Sequence, residues 1–487
     1  MNEELEKNIS TVTKENVSYV KGILKDSSDV VYREFLISNW ECALIYIDGM
    51  IDKYLIDDYV LESVMKYEVK FKDVNQIKDR LLTVSDIKEV IDFKDGIDAV
   101  LSGDTLMFVE GLGCCYVIAS RLWPVRGISE PSGETVVRGS RDGFTETIRF
   151  NTALIRRRIK DTRFKIVPDK IGKRSKTDVA ILYIEDIVNK EVLSELMSRI
   201  QKINIDAIFD SGYVEQLIED DIWSPFPQIQ STERPDVVAA ALYEGRVAIL
   251  VDNSPFAIVV PTTLPNLFQS PDDYYQRWIY SSTVRLIRIL AVLISLVLPA
   301  LYIAVTTFHT NIIPTKLAYS IAASREGVPF PAYIEVLIME FSMAFLTEAI
   351  IRLPKAIGAT IGIVGGLIIG QAAVSAGIMS PIMVIIVSIT VITNFVIPNY
   401  QVSNAFRMVR ILIIIGAIVA GLYGIILGLI VILIHLTRLK SFGIPYLAPA
   451  VSTEKGDLKD MLIRFPLRYL KTRPKYMKTV DKIRQKE

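Results

Sequence analysis

Three carboxylates stand where carboxylates are expensive. Glu335, Glu340 and Glu348 fall within Ala332–Ile351, a stretch otherwise long and apolar enough to cross a bilayer. An acidic side chain at the centre of a membrane helix costs roughly 2.5–3.5 kcal/mol on insertion scales. Such a residue either finds a cationic partner or lines a water-filled path for ions or protons. Glu348 has a local partner in Arg352, four residues on and in the favoured acid-first order. Glu335 and Glu340 have none nearby in sequence, so a place on an ion path is the chemistry their type and position suggest. At about 100° per residue the three acids do not share one polar stripe.

A second constellation follows. Gly358, Gly362, Gly366 and Gly370 recur every fourth residue, and Gln371 comes next. Glycines at that spacing share a helix face and let another backbone approach closely. Two readings stand: ordinary packing within one chain, or close packing around a symmetric axis that leaves room for a pore. Gln371 brings a polar group that needs a partner or water at depth. The third candidate is the basic turn Arg138-Gly-Ser-Arg-Asp-Gly143, where Arg138 and Arg141 are placed either to hold an anion or to bridge two domains.

Catalytic signatures are missing. The sequence has no GxxxxGK[ST], no GxGxxG after a strand, no HExxH and no nucleophile elbow, so no enzyme activity is expected. Two histidines, His309 and His435, and three cysteines, Cys42, Cys114 and Cys115, make no metal site and no disulfide framework, and no cofactor is expected.

The elements that must position these residues divide sharply by composition. Residues 1–288 are charge-rich, whereas Ile289–His435 carries only ten Asp, Glu, Lys or Arg, which marks a lipid-embedded region. Apolar runs at Ile289–Thr307, Ala359–Met379, Pro381–Ile397 and Ile411–His435 predict four spans. Ala332–Ile351 is then a re-entrant or interfacial helix, and a fifth span is the alternative. Four spans put both chain ends on one side. From Thr437 onward thirteen Lys/Arg face five Asp/Glu, a basic tail suited to the cytoplasm and to anionic headgroups. Arg285 and Arg288 supply a positive flank before the first span. The charge lacks an aromatic platform, so no nucleic acid is expected.

The soluble part is duplicated. Ala43-Leu-Ile-Tyr-Ile-Asp48 resembles Ala180-Ile-Leu-Tyr-Ile-Glu185 at an offset of 137, and Gly103–Glu110 resembles Gly245–Asp252 at an offset of 142. The expected architecture is a flexible segment 1–27, an α/β subdomain 28–125, a linker and helix 126–164 and a second α/β subdomain 165–280. An all-α membrane domain 284–436 and the tail 437–487 follow. Two similar lobes suggest either a ligand cleft between them or a surface for assembling subunits.

Several motifs in order resemble the A subunit of GerA-type spore germinant receptors. They include Val136-Val-Arg-Gly-Ser-Arg-Asp-Gly-Phe-Thr-Glu146, Ser224-Pro-Phe-Pro227, Arg352-Leu-Pro-Lys-Ala-Ile-Gly358, Ile369-Gly-Gln-Ala-Ala-Val-Ser-Ala-Gly377 and Phe442-Gly-Ile-Pro-Tyr446. The resemblance spans about residues 28–475. It implies a multi-pass protein of the spore inner membrane whose N-terminal domain and tail face the spore core. It also implies a polytopic, nutrient-binding B subunit and a lipoprotein C subunit as partners. The A subunits are expected to form a homo-oligomeric, nutrient-gated ion channel. A non-conducting scaffold, an accessory protein acting on dipicolinate release and a nutrient transporter are the alternatives.

Overall fold

The computed structural model describes residues 7–37, 39–66, 84, 86–122, 130–131, 133–352, 370–451 and 455–485. The chain forms two compact units, which are taken in turn. One comprises Met1–Asp220, Ile229–Pro261 and Leu470–Glu487, and the other Asp221–Gln228 and Thr262–Tyr469.

The first unit holds two antiparallel sheets of one topology. The first lobe includes α1 (Thr13–Ile23), β1 (Val30–Ile37), β2 (Trp40–Ile47), a helical stretch over 53–66, β3 (Ile87–Val90), α2 (Phe93–Leu101), β4 (Thr105–Val109) and β5 (Cys115–Ile118). Its strand order is β1-β2-β4-β5-β3. The second lobe repeats this plan with α3 (Ile148–Arg156), β6 (Phe164–Ile171), β7 (Thr177–Ile184), α4 (Lys190–Lys202), α5 (Ser211–Ile218), β8 (Gln230–Thr232), α6 (Pro235–Tyr243), β9 (Val247–Val251) and β10 (Ala257–Val260). Its order is β6-β7-β9-β10-β8. Ala43 pairs with Phe108 and Ala180 with Leu250, so the registers match as well. The unbroken apolar run of β4 has a direct cause. Leu106 and Phe108 feed one core beneath α1 and α2, while Met107 and Val109 feed another on the opposite face.

The repeat reaches further back than 28 and 165. The Asn16 amide bonds both the N–H and the C=O of Ser10, and the Asn151 amide does the same for Thr145, at an offset of 135. Glu110 and Asp252 accept from the first N–H groups of α1 and α3, satisfying donors that a helix start leaves open. The stretch 13–23, expected to be flexible, is therefore a helix built into the first lobe by buried Val17 and Val20. The helix within 126–164 likewise belongs to the second lobe.

The basic tail is not free either. In the first lobe the chain after β5 runs on beside residue 50, and Leu122 donates to the Met50 carbonyl. At the corresponding place in the second lobe, Val480 of the tail donates to the Ile187 carbonyl. Asn189 holds the Met477 carbonyl, Arg473 donates to the Tyr243 carbonyl, and Arg484 pairs with Glu244. The chain leaves the second lobe after β10, and its own C-terminus returns to fill the position that residues 120–122 fill in the first. Thr479 lies directly against Gly245, whose φ of +85° suits a residue without a Cβ.

The second unit is helical: α7 (Trp278–Thr307), α8 (Thr315–Arg325), α9 (Ala332–Arg352), α10 (Pro381–Phe395) and α11 (Tyr400–Arg438). Two of its described helices, α7 and α11, are long and apolar enough to cross a membrane. The expected last span, Ile411–His435, is however not one straight helix. At Ala420 and Gly421 the backbone leaves helical geometry, with Gly421 at φ +57° and ψ −134°. The chain then doubles back, bringing Gly424 against Gly416 and Gly428 against Ile413. Phe226 touches both Phe406 and His435 at the open end of this hairpin. The arms 400–419 and 422–438 are roughly 30 Å and 25 Å long, and a bilayer core is about 30 Å. Sequence hydropathy did not show the reversal, because Ala420 and Gly421 bring no polar side chain that would interrupt the apolar run.

Ala332–Arg352 is one helix whose first half is packed into the bundle, while its second half, with Phe341 and Phe345, is largely exposed. It packs against α7 and α10, with Ala332, Val336 and Met339 buried. The incoming and outgoing segments of the unit meet at one end, where Arg285 contacts Asp460 and Leu264 donates to the Tyr446 carbonyl.

Removing Leu470–Glu487 is expected to speed amide hydrogen exchange around 187–189 and 245 while leaving the first lobe protected. Gly245→Ala should have the same local effect and cost about 1–2 kcal/mol through its left-handed φ. Unchanged exchange in both variants would show that the tail is no part of the lobe.

Candidate functional site

Among the described residues of the helical unit, buried charge is gathered into three clusters stacked along α7. At the end where the chain enters, Arg285 and Arg288 reach Asp273 at 2.9 and 2.7 Å, and Arg285 reaches Asp460 at 2.8 Å. The two arginines expected as a positive flank on the cytoplasmic side are thus buried and paired, which offsets part of the cost of holding them out of water. In the middle, Arg410 is 1% exposed and donates to Glu340 at 2.9 Å. Its other guanidinium nitrogen donates to the Ser295 hydroxyl at 3.1 Å and to Asn394 Oδ1 at 3.4 Å. Four helices, α7, α9, α10 and the first arm of α11, each give one side chain to this centre. Toward the far end, Glu335 is fully buried, pairs with Arg325 at 3.2 Å and accepts from the Ser380 backbone N–H at 2.8 Å. Tyr302 and Ser380 share a hydrogen bond beside it.

The acids singled out from sequence are therefore all paired. Glu348 and Arg352 form the local bridge foreseen for them at 2.6 Å, on the surface. Glu335 and Glu340 find their cations 10 residues before and 70 residues after. Sequence spacing did not expose those partners, since Arg410 stands with Arg407 at the edge of the last apolar run, where a cation is unremarkable. Even so, Glu340 Oε1 and Arg410 Nε keep hydrogen-bonding capacity that no described group meets. Of the glycine series, Gly370 is buried against Val384 and Gln371 is exposed. Gly358, Gly362 and Gly366 lie outside the described residues.

In the soluble unit the basic turn that stood out in the sequence lies at the surface. Arg138 is exposed, and Arg141 pairs at the surface with Glu130 at 3.0 Å. The lobes are joined instead by Arg156, which meets Asp29 through two hydrogen bonds of 2.9 and 2.8 Å. It also donates to the Phe164 carbonyl, with no exposed surface of its own. Ala153 of α3 enters the core of the first lobe, so this face is packed rather than open. The turn has a different organiser. Arg234 is buried and donates to the carbonyls of Glu134 and Ser140 while pairing with Asp236. Although one edge of Glu134 meets solvent, the protein around it pushes its carboxyl up to about 7. Desolvation is the main cause, opposed by hydrogen bonds from Thr232 and the Glu233 N–H.

A profile described as Bacillus/Clostridium GerA spore germination protein matches residues 18–476. The chain belongs to the GerA family. "Spore germination protein GerLA" of Bacillus cereus is 42% identical to this GerA chain over 489 residues, covering 99% of both. "Uncharacterized membrane protein YfkQ" of Bacillus subtilis is 41% identical, covering 97% of this chain and 93% of its own. Among solved structures, the N-terminal domain of the A subunit of the Bacillus megaterium spore germinant receptor GerK3 is 36% identical. That likeness covers 52% of this chain and 96% of the solved one, with a TM-score of 0.42.

Breaking the central ion pair on one side strands a buried charge, so Arg410→Met or Glu340→Gln alone should cost about 3–5 kcal/mol. The double variant Glu340→Gln/Arg410→Met should recover most of that in thermal unfolding of the purified protein. A double variant as weak as the singles combined would show that the two side chains act independently. Glu134 yields a pH effect. Its folded pKa lies above the unfolded value of 4.5. The stability it confers is therefore complete below that value and lost as pH rises toward about 7. Glu134→Gln should flatten the stability–pH profile in that window, and an unchanged profile would remove Glu134 as its source.

Proposed function

We propose that this protein is the A subunit of a spore nutrient germinant receptor, and that several copies build a cation-conducting path in the membrane. The observation that carries the reading is the GerA kinship across residues 18–476, which takes in both the soluble and the helical unit. The B subunit holds the nutrient in this reading, the lipoprotein C subunit completes the complex, and the site of action is the spore inner membrane. The soluble unit and tail face the spore core, a sidedness favoured by incoming and outgoing segments that meet at one end of the helical unit. The chain is a receptor and channel subunit rather than an enzyme.

Within this reading Glu335 and Glu340 are ties that hold the described state together, because each is committed to an arginine. The path itself is assigned to the segment carrying Gly358, Gly362, Gly366 and Gly370, where the absence of side chains would leave room at a symmetric axis. Purified protein in K⁺-loaded liposomes should release ions, alone or once the B subunit and nutrient are added. Gly366→Leu should abolish that release while leaving assembly intact. Release that survives Gly366→Leu would move the path elsewhere. Assembled protein that never conducts, even with B subunit and nutrient, would make this chain a scaffold.

A further inference from the structure

The loop Asp221–Gln228 belongs to the helical unit although the chain on both sides of it belongs to the soluble unit. Its geometry is tightly fixed. The Gln228 side chain spans the loop, accepting from the Asp221 N–H and donating to the Asp221 carbonyl at 2.8 and 2.7 Å. Phe226 is 1% exposed and plugs the open end of the α11 hairpin between Phe406 and His435. Ser224 bonds the His435 ring at 2.9 Å, and Tyr446 donates to the Pro227 carbonyl at 2.7 Å.

A loop held this firmly nevertheless displays its two largest other side chains to the outside. Ile222 is 69% exposed and Trp223 89% exposed. What surrounds them points to the occupant. On the second arm of α11, Leu433 and Ile434 are exposed and apolar. One turn later come exposed Arg438 and Lys440, neither of them ion-paired among the described residues. His435, which anchors Ser224, stands between these two zones. From helix to helix end the surface thus passes from aliphatic, through tryptophan, to cationic. That is the order in which a bilayer passes from acyl chain, through the headgroup boundary, to anionic phosphate. An indole suits the middle layer because its body is apolar and its N–H needs a polar partner.

We infer that Ile222 and Trp223 form an interfacial anchor that inserts at the headgroup boundary of an anionic bilayer, with Arg438 and Lys440 set against lipid phosphates. The anchor fixes the depth of the α11 hairpin, because Phe226 ties the loop to both of its arms. The inference rests on the helical unit being membrane-embedded and not on whether it conducts.

The test uses the full-length chain with Trp223 as its single tryptophan (Trp40→Phe, Trp123→Phe, Trp278→Phe). It is reconstituted in vesicles of phosphatidylcholine and phosphatidylglycerol. Bromines placed on the acyl chains near the headgroup should quench Trp223 fluorescence more strongly than bromines near the chain end, and aqueous iodide should quench it weakly. Subtracting a Trp223→Phe protein from the otherwise unaltered chain gives the same readout without the triple substitution. Arg438→Gln with Lys440→Gln should reduce the dependence of shallow quenching on phosphatidylglycerol. Protein that floats with the vesicles but is quenched by iodide and not by bromolipid overturns the anchor alone. Protein that fails to float overturns the membrane placement as well.

Discussion

A guanidinium inside an apolar helical bundle cannot be left without a counterion, and Arg410 imposes that constraint on the whole helical unit. Its charge is desolvated by Val409, Ile413 and Ile414 on its own helix and by the helices packed against it. The Coulomb attraction of Glu340 offsets that loss only when geometry is good and the remaining donors find acceptors. Ser295 and Asn394 supply acceptors for one terminal nitrogen, while Nε finds none among the described residues. Because each of the four residues comes from a different helix or arm, satisfying one charge sets the rotation of four elements at once. The first half of helix α9, the least apolar of them, is held against the bundle by the same requirement. Its Glu335 and Glu340 are tolerable there only because Arg325 and Arg410 reach them.

The soluble unit follows a different logic. One sheet topology is used twice, and the two copies differ mainly in how the chain leaves them. The first lobe closes itself with residues that follow β5. The second gives up its chain to the helical unit, and the matching place is taken by residues more than two hundred positions later. The C-terminus thus belongs structurally to a lobe formed long before it in sequence. Arg156 and Asp29 tie the two lobes into one body, again through a buried pair with its donors satisfied. The basic character of the tail is partly spent in this docking, since Arg473 and Arg484 are committed to the second lobe.

Much of this plan was legible from residue order. The duplication showed as recurring strand motifs at nearly constant offset. The division into soluble and helical parts showed as a change in charge density, and the GerA kinship as a series of short motifs. Less was legible at the candidate sites. Glu348 announced its partner because helix geometry brings residues four apart together. Glu340 did not, because its partner is brought near only by packing of separate helices. Arg138 and Arg141 drew notice for their glycine-rich setting, yet Arg156 and Arg234, in plainer surroundings, carry the buried contacts.

Local sequence therefore determined which segments are strands, which are helices and which half is apolar, since those properties depend on near neighbours and on composition. Only the tertiary structure decided that the last apolar run folds back at Gly421, that the first half of α9 is buried and that the tail completes the second lobe. It also decided which arginine answers which acid. These outcomes depend on contacts between residues tens to hundreds of positions apart, and hydropathy and spacing carry no record of such contacts. The physical reason is the same in each case: a buried polar group or an open helix end takes whatever partner packing brings within hydrogen-bonding distance.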